Sequence, residues 1–539
     1  MRVLLALAVP ALALLPAPPA GRAAEPMAAV GSRAPAGALG PRIDAWLRQA
    51  GLAPEQVSLL LYSTRERRYL YRLRDDAPMI AASNTKLVTT YAALRVLSPN
   101  FRWRTRLYGV DDHDGPGGAT RQGLLLEASG DPTVTARGLD ALALRLKAEG
   151  LRRIDGPILL DDSLFDLAAA VAAEGPVEQT PDADNPTYVP LSPFVVDSNA
   201  VEFVITLDRE GGIPQVIHPL PAEAARIVTR FRDGARSVIR VAQDWEPGGG
   251  TFTFSGTLNP DPKFHYVTVP VTRPALYYYQ LLRAALRRQG ILGEPPLGPR
   301  PAEGLARRLL FTQYSPPLRD AIADINKNSN NLGAELLVRA MGMTVKTTGV
   351  SAADGMQVLR RAIAEDFPGL GAHQHLVDGS GLSRANRISA LFLVKLLNRV
   401  QRFPEFRAEF MNALSVARWD GTLRNRDFPE ALQGRLRAKS GTLQGVSNLS
   451  GFLTPGQDTV VFSFLINDSE RPPEATQHMQ DRVLGQIYEA LAEDTPAPAG
   501  PTLAKPGARK HASRPAPHPA RKTAPAPAAK PSRAAPPGG

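Results

Sequence analysis

The sequence predicts a mixed α/β (α+β) multidomain protein in which an antiparallel sheet flanked by helices is interrupted by a β-rich insertion. Three observations predict it. An early apolar run, Val57 to Tyr62, is followed by a helical pattern from about Ser83 to Leu97. Residues 99 to 304 then change character, with short strand-like runs separated by Pro and Gly. Beyond Pro316 helices dominate, and the chain returns to strands before a last long helix. A helix-and-strand pattern split by some 200 residues reads as one discontinuous domain.

Each element has a local reason. Val57-Ser58-Leu59-Leu60-Leu61-Tyr62 is a short apolar run of strand length, and Arg68 to Arg74 is its hairpin partner. Leu87, Val88, Tyr91, Leu94 and Val96 recur near the helical period. In the insertion, Val201–Leu207, Ser237–Val241, Thr251–Phe254 and His265–Val271 read as strands. Helical patterns there cover Gly138–Glu149 and Ala275–Gln289. Further on, helices are expected over Asp320–Lys327, Leu332–Met341, Gly355–Glu365 and Ser389–Val400. Strands follow over Arg435–Lys439, Asn448–Leu453 and Thr459–Ile466, with a closing helix over Glu474–Ala492.

The expected division is residues 1–24 as a signal peptide, 25–98 and 305–495 as the two parts of the outer domain, 99–304 as inserted β-rich domains, and 496–539 as a tail. Met1-Arg2 followed by the apolar run Val3–Leu15 and the small residues Gly21 and Ala23 has the signal-peptide pattern. The run is too short to span a bilayer, so export in a soluble, periplasmic form is expected, with at most loose envelope attachment. The tail holds 12 Pro and 13 Ala in 44 residues with no acid, a composition that cannot bury a core.

Charge sharpens this. The formal net charge is +11, of which +8 sits in residues 496–539 and +2 in residues 1–24. The body is nearly neutral, so the basic balance gives no support to nucleic-acid binding. The tail has the charge for weak association with an anionic envelope. The chain has no cysteine, which excludes a thiol nucleophile, thiolate metal sites and disulfides.

Three short motifs carry chemistry. Ser83-Asn84-Thr85-Lys86 opens a helix, so Ser83 and Lys86 share one face. A serine needs a base, and a buried lysine supplies one once desolvation lowers its pKa. Ser329-Asn330-Asn331 lies on a turn between two helical patterns, where Ser329 is able to relay a proton and Asn331 to hold a carbonyl. Lys439-Ser440-Gly441-Thr442 ends a predicted strand. There Lys439 offers a positive charge, Gly441 permits close approach, and the Thr442 N–H pairs with that of Ser83 as an oxyanion hole.

The order S-x-x-K, S-x-N, K-[ST]-G resembles the penicillin-binding proteins and serine β-lactamases. The 243-position separation of Lys86 and Ser329 and four further stretches narrow the likeness. These are Leu126–Pro132, Asp161–Phe165, Asn326–Asn331 and Asp378–Arg384. Together they resemble the class C low-molecular-mass penicillin-binding proteins, the D-alanyl-D-alanine carboxypeptidase/endopeptidases of penicillin-binding protein 4 type.

The resemblance implies a discontinuous penicillin-binding/β-lactamase-like transpeptidase fold and action on peptidoglycan peptides and crosslinks. It implies catalytic Ser83, Lys86, Ser329, Asn331 and Lys439, substrate binding by Ser440, Gly441 and Thr442, and a substrate contact from Asp161 or Phe165. β-Lactams are expected as covalent inhibitors, with no metal or cofactor. Two other readings stay open: a serine β-lactamase or related esterase, and a non-catalytic peptidoglycan-binding protein of the same fold.

Overall fold

The structure, a computed structural model, describes residues 39–112, 121–167, 190–206, 214–259, 264–302 and 304–493. The expected signal peptide and tail lie outside the described residues.

A six-stranded sheet organises the outer domain. Its order is Ser415–Val416, Leu436–Leu443, Val446–Leu453, Val460–Ile466, Val57–Ser63 and Arg68–Leu73. Every pairing in it is antiparallel. The early strand closes on the late one, with Val57 opposite Ile466 and Ser63 opposite Val460. This register joins the two ends of the discontinuous domain.

The run Val57–Ser63 is buried throughout because the sheet is covered on both faces. Side chains alternate between the layers. Leu60 and Tyr62 face a core with Leu87, Val88 and Tyr91 of the Thr85–Leu97 helix. Val57, Leu59 and Leu61 face the opposite core, with Ile43 and Leu47 from Leu39–Gln49 and Val483, Leu484 and Ile487 from Pro473–Glu493. The α-β-α layering expected from the sequence pattern is therefore present.

The Thr85–Leu97 helix is more deeply placed than its apolar stripe suggests, with ten consecutive residues, Thr85 to Leu94, buried. Its polar positions are bonded: the Thr89 hydroxyl donates to the Gly379 carbonyl at 2.7 Å and that of Thr90 to the Lys86 carbonyl at 2.7 Å.

The inserted region holds a four-stranded sheet and two three-stranded sheets. The first is ordered Arg307–Tyr314, Arg104–Asp112, Arg121–Ala128, Ile158–Asp161. The others are Val238–Glu246, Gly249–Leu258, Ala225–Asp233, and Phe264–Pro270, Ala200–Thr206, Gln215–Ile217. With the helices Ala136–Ala148 and Pro274–Arg288 they share one core.

Arg307–Tyr314 pairs with Arg104–Asp112 and buries Phe311 in the core of the inserted strands. One expectation is adjusted. The strand expected to stop at Lys439 runs on to Leu443, because Gly441 and Thr442 keep pairing, with Asn448 and Ser447.

Candidate active site

Ser83 sits on a 3₁₀ turn, Ala82–Asn84, at the head of the Thr85–Leu97 helix. Ala82 takes a positive φ of 45° to bring the chain into that turn. Lys86, one turn on, is fully buried and its Nζ lies 3.0 Å from the Ser83 hydroxyl. The same Nζ donates to Asn331 Oδ1 at 2.6 Å and to the Ser380 carbonyl at 2.7 Å.

Burial lowers Lys86 to about 7, against the opposing pull of the Asp378 and Glu335 carboxyl groups. Near neutrality a large fraction is thus the free amine. An amide or peptide oxygen can only accept, so Asn331 and Ser380 each hold one Nζ proton. The neutral amine then has its lone pair left for Ser83, the one neighbour able to donate. That is the geometry of a serine beside its base.

A second pair stands beside the first. Ser329 occupies the turn between Leu318–Lys327 and Asn331–Gly342 with φ of 57°, strained for a residue with a Cβ. Its hydroxyl accepts from Lys439 Nζ at 3.0 Å, and Lys439 also donates to the Ser440 carbonyl at 2.8 Å. Lys439 is fully buried, and burial, then the Lys86 charge, holds it well below the usual lysine range. Asn331 opens its helix while the neighbouring Asn330 caps it, accepting from the Gly333 N–H at 2.9 Å.

Gly441 lets the motif strand touch the nucleophile turn. A Cβ there would lie 3.0 Å from the backbone nitrogens of both Ser83 and Asn84. The Ser440 hydroxyl donates to Thr422 Oγ1 at 2.7 Å, and the Thr442 hydroxyl accepts from Gln477 at 3.0 Å. Ser83, Lys86, Ser329, Asn331 and Lys439 are therefore brought together, with Gly441 against them.

Asp161 and Phe165 are not joined to this group. Asp161 ends a strand and accepts from the Ser163 N–H at 2.9 Å, capping its own turn. Phe165 is buried against Leu332 and Leu336 and serves as packing for the helix that carries Asn331. Its deep burial leaves it no exposed face for a substrate side chain.

Sequence reasoning missed Glu335. Half-buried one turn after Asn331, it accepts from the N–H groups of Gly379 and Ser380 at 3.0 and 2.9 Å and pairs with Arg339 at 3.6 Å. Asp378 binds the other side of that loop, accepting from the Gly381 and Ser383 N–H groups at 2.5 and 2.7 Å. The loop so pinned presents the Ser380 carbonyl to Lys86. Asp378–Arg384 carried a resemblance in the sequence but no assigned role.

Among the described residues no three His, Asp or Glu side chains converge as metal ligands, and no helix is long and apolar enough to cross a membrane.

The sequence pattern of the D-Ala-D-Ala carboxypeptidase 3 (S13) family matches residues 39–485. A D-alanyl-D-alanine carboxypeptidase of an Actinomadura species is 30% identical over 471 residues, covering 84% of this chain and 85% of that protein. The D-alanyl-D-alanine carboxypeptidase DacB of Haemophilus influenzae is 25% identical, over 72% of this chain and 80% of that one. The crystal structure of penicillin-binding protein 4 from Haemophilus influenzae shares the fold, with a TM-score of 0.66 and 22% identity over 84% of this chain and 99% of that one.

Proposed function

This chain belongs to the D-Ala-D-Ala carboxypeptidase 3 (S13) family and is a serine-type D-Ala-D-Ala carboxypeptidase, and from that premise we propose that its acyl-enzyme forms on Ser83 and that its substrates are the stem peptides and crosslinks of peptidoglycan. The observation that carries the reading is Lys86, lowered to about 7 with its nitrogen 3.0 Å from the Ser83 hydroxyl.

In this reading Lys86 takes the Ser83 proton as Oγ attacks the carbonyl carbon of the penultimate D-Ala. The oxyanion settles on the N–H groups of Ser83 and Thr442. The C–N bond then breaks, and Lys439 passes a proton through Ser329 to the departing amine. Asn331 orients the peptide. Lys439, Ser440 and Thr442 receive the terminal carboxylate, whose charge draws a proton back onto Lys439. Lys86 gives its proton to solvent as the amine departs. Water then attacks the ester with Lys86 taking its proton, the acyl C–O bond breaks, and Lys86 returns that proton to Ser83 Oγ. Where the departing amine belongs to a neighbouring stem peptide, the same steps cut a crosslink.

A β-lactam presents a strained amide to the same nucleophile, and a relative of this fold has been captured with one: penicillin-binding protein 4 of Haemophilus influenzae in complex with a β-lactam. The reading also places the chain in the periplasm, exported by residues 1–24, with its insertion taken as residues 99–314. The basic tail adds weak envelope attachment, checked by comparing wall association with and without residues 496–539.

The test is covalent labelling. Labelled penicillin should mark the wild-type chain, and Ser83→Ala should stay unmarked and release no D-Ala from a pentapeptide. Persistent labelling of Ser83→Ala would move the nucleophile elsewhere. Release of label within seconds would turn the reading to a β-lactamase.

A further inference from the structure

We propose that the exposed face of the sheet Val238–Glu246, Gly249–Leu258, Ala225–Asp233 docks the polymer itself, a peptidoglycan strand bearing free stem-peptide carboxylates. The proposal rests on the substrate class given above, and its site is separate from the Ser83 cluster.

The inner face of this sheet is fixed by its core contacts: Ala225, Trp245, Phe252, Phe254 and Leu258 are buried, with Ile227, Phe231, Ile239 and Val241 packed on them. Alternation therefore turns Arg226, Arg230, Arg232 and Arg240 outward, and all four are exposed. The central strand turns out only small hydroxyl side chains, Thr251, Thr253, Ser255 and Thr257. Register aligns them: Arg230 and Arg240 lie directly on either side of Ser255. With strands about 4.8 Å apart, these two guanidinium stems rise roughly 10 Å from each other over a low floor.

The charge of the Arg230 and Arg240 pair is uncompensated. Elsewhere in the inserted region Arg287, Arg288 and Arg307 each pair with a carboxylate. Among the described residues the side chains of Arg226, Arg230, Arg232 and Arg240 make no ion pair or hydrogen bond, and the hydroxyls of Thr251, Thr253 and Ser255 bond to no other side chain. Of the acids on the same face, Asp244 aligns with Arg226 across Thr251 and Glu246 ends its strand, so the Arg230–Ser255–Arg240 row lies clear of both.

A guanidinium takes a carboxylate through two parallel N–H donors, and serine and threonine hydroxyls suit the hydroxyls and amides of a glycopeptide. One exposed arginine holds a carboxylate weakly. A strand that repeats its carboxylates meets several at once, and the contacts reinforce one another. Docked there, the polymer raises the local concentration of its peptides around the enzyme.

The experiment is co-sedimentation of the full chain with purified insoluble peptidoglycan at low and high salt, beside D-Ala release from a soluble pentapeptide. Arg230→Thr/Arg240→Thr suits exposed strand positions. It should lower the bound fraction at least threefold at low salt and leave pentapeptide turnover unchanged. Arg230→Lys/Arg240→Lys should retain most of the binding. Arg402→Gln/Arg407→Gln, which removes equal charge elsewhere, should bind as wild type. Wild-type binding by the Thr variant overturns the proposal, and so does an equal loss in the Gln control or a parallel fall in pentapeptide turnover. If the wild type releases no D-Ala while the binding differences persist, the substrate reading of the Ser83 site fails and the docking face stands.

Discussion

Lys86 and Ser380 are joined by one contact, Nζ to carbonyl oxygen at 2.7 Å, across 294 residues of chain. With Asn331 as the second acceptor, it leaves only the Ser83 direction for the lone pair of a neutral Lys86. The sign of the pH dependence follows. Protonated Lys86 is no base, and burial lowers it to about 7. Acylation by labelled penicillin should therefore rise with pH along a limb centred near 7 and level off above it. A rate constant that stays flat between roughly pH 6 and 8 would remove Lys86 from the role of base.

Glu335 gives a second prediction. Its Oε1 accepts two backbone N–H groups and so fixes where the Ser380 carbonyl stands. Glu335→Gln retains an oxygen at that position and should keep acylation within a few-fold of wild type. Glu335→Ala frees the loop and should slow acylation by roughly 10²-fold, the scale of a misplaced catalytic group, with little change in non-covalent penicillin affinity. Equal effects from both variants would mean that the carboxylate charge, rather than the held loop, matters.

Gly441 gives a third. A Cβ at this position meets the Ser83 and Asn84 nitrogens at 3.0 Å and the Asn84 amide nitrogen at 2.9 Å. Gly441→Ala should push the motif strand off the nucleophile turn and disturb both proposed oxyanion donors. An acylation loss of about 10²-fold or more is expected, the usual cost of one such donor. Stopped-flow acylation within twofold of wild type would show that the strand gives way without harm.

The candidate group around Ser83 was legible because each part is local. Ser83 and Lys86 share a helix face by spacing alone, and Ser329 and Asn331 flank a helix start. Glu335 was not legible, since its role arises from closure onto Gly379 and Ser380, 44 and 45 residues away. The strand Val57–Ser63 was visible as an apolar run because both its faces are covered. Arg104–Asp112 and Arg307–Tyr314 were hidden because arginines break up their apolar residues, Arg104 and Arg106 in the first and Arg307 and Arg308 in the second. Asp161 drew attention through a family likeness, yet its carboxylate serves its own turn.

Stability at the edge of the site rests on a buried ion pair. Arg426 and Asp481 are 6% and 1% exposed at their side chains, and Arg426 also donates to Gln480 Oε1 at 2.9 Å and to the Gln477 carbonyl at 3.3 Å. Gln477 in turn donates to Thr442. The pair thus holds the Pro473–Glu493 helix against the segment that carries Arg426, and Gln477 links that helix to the strand of Lys439. Asp481→Leu alone leaves a guanidinium buried without its counter-charge, at a cost of about 3–5 kcal/mol in urea denaturation. Arg426→Met/Asp481→Leu removes both charges and should recover most of that loss, because desolvating the pair was itself expensive. Since the double variant still lacks the Arg426 contact to the Gln477 carbonyl, its acylation rate should fall even where stability is restored. Full recovery of both would detach this ion pair from the placement of Thr442.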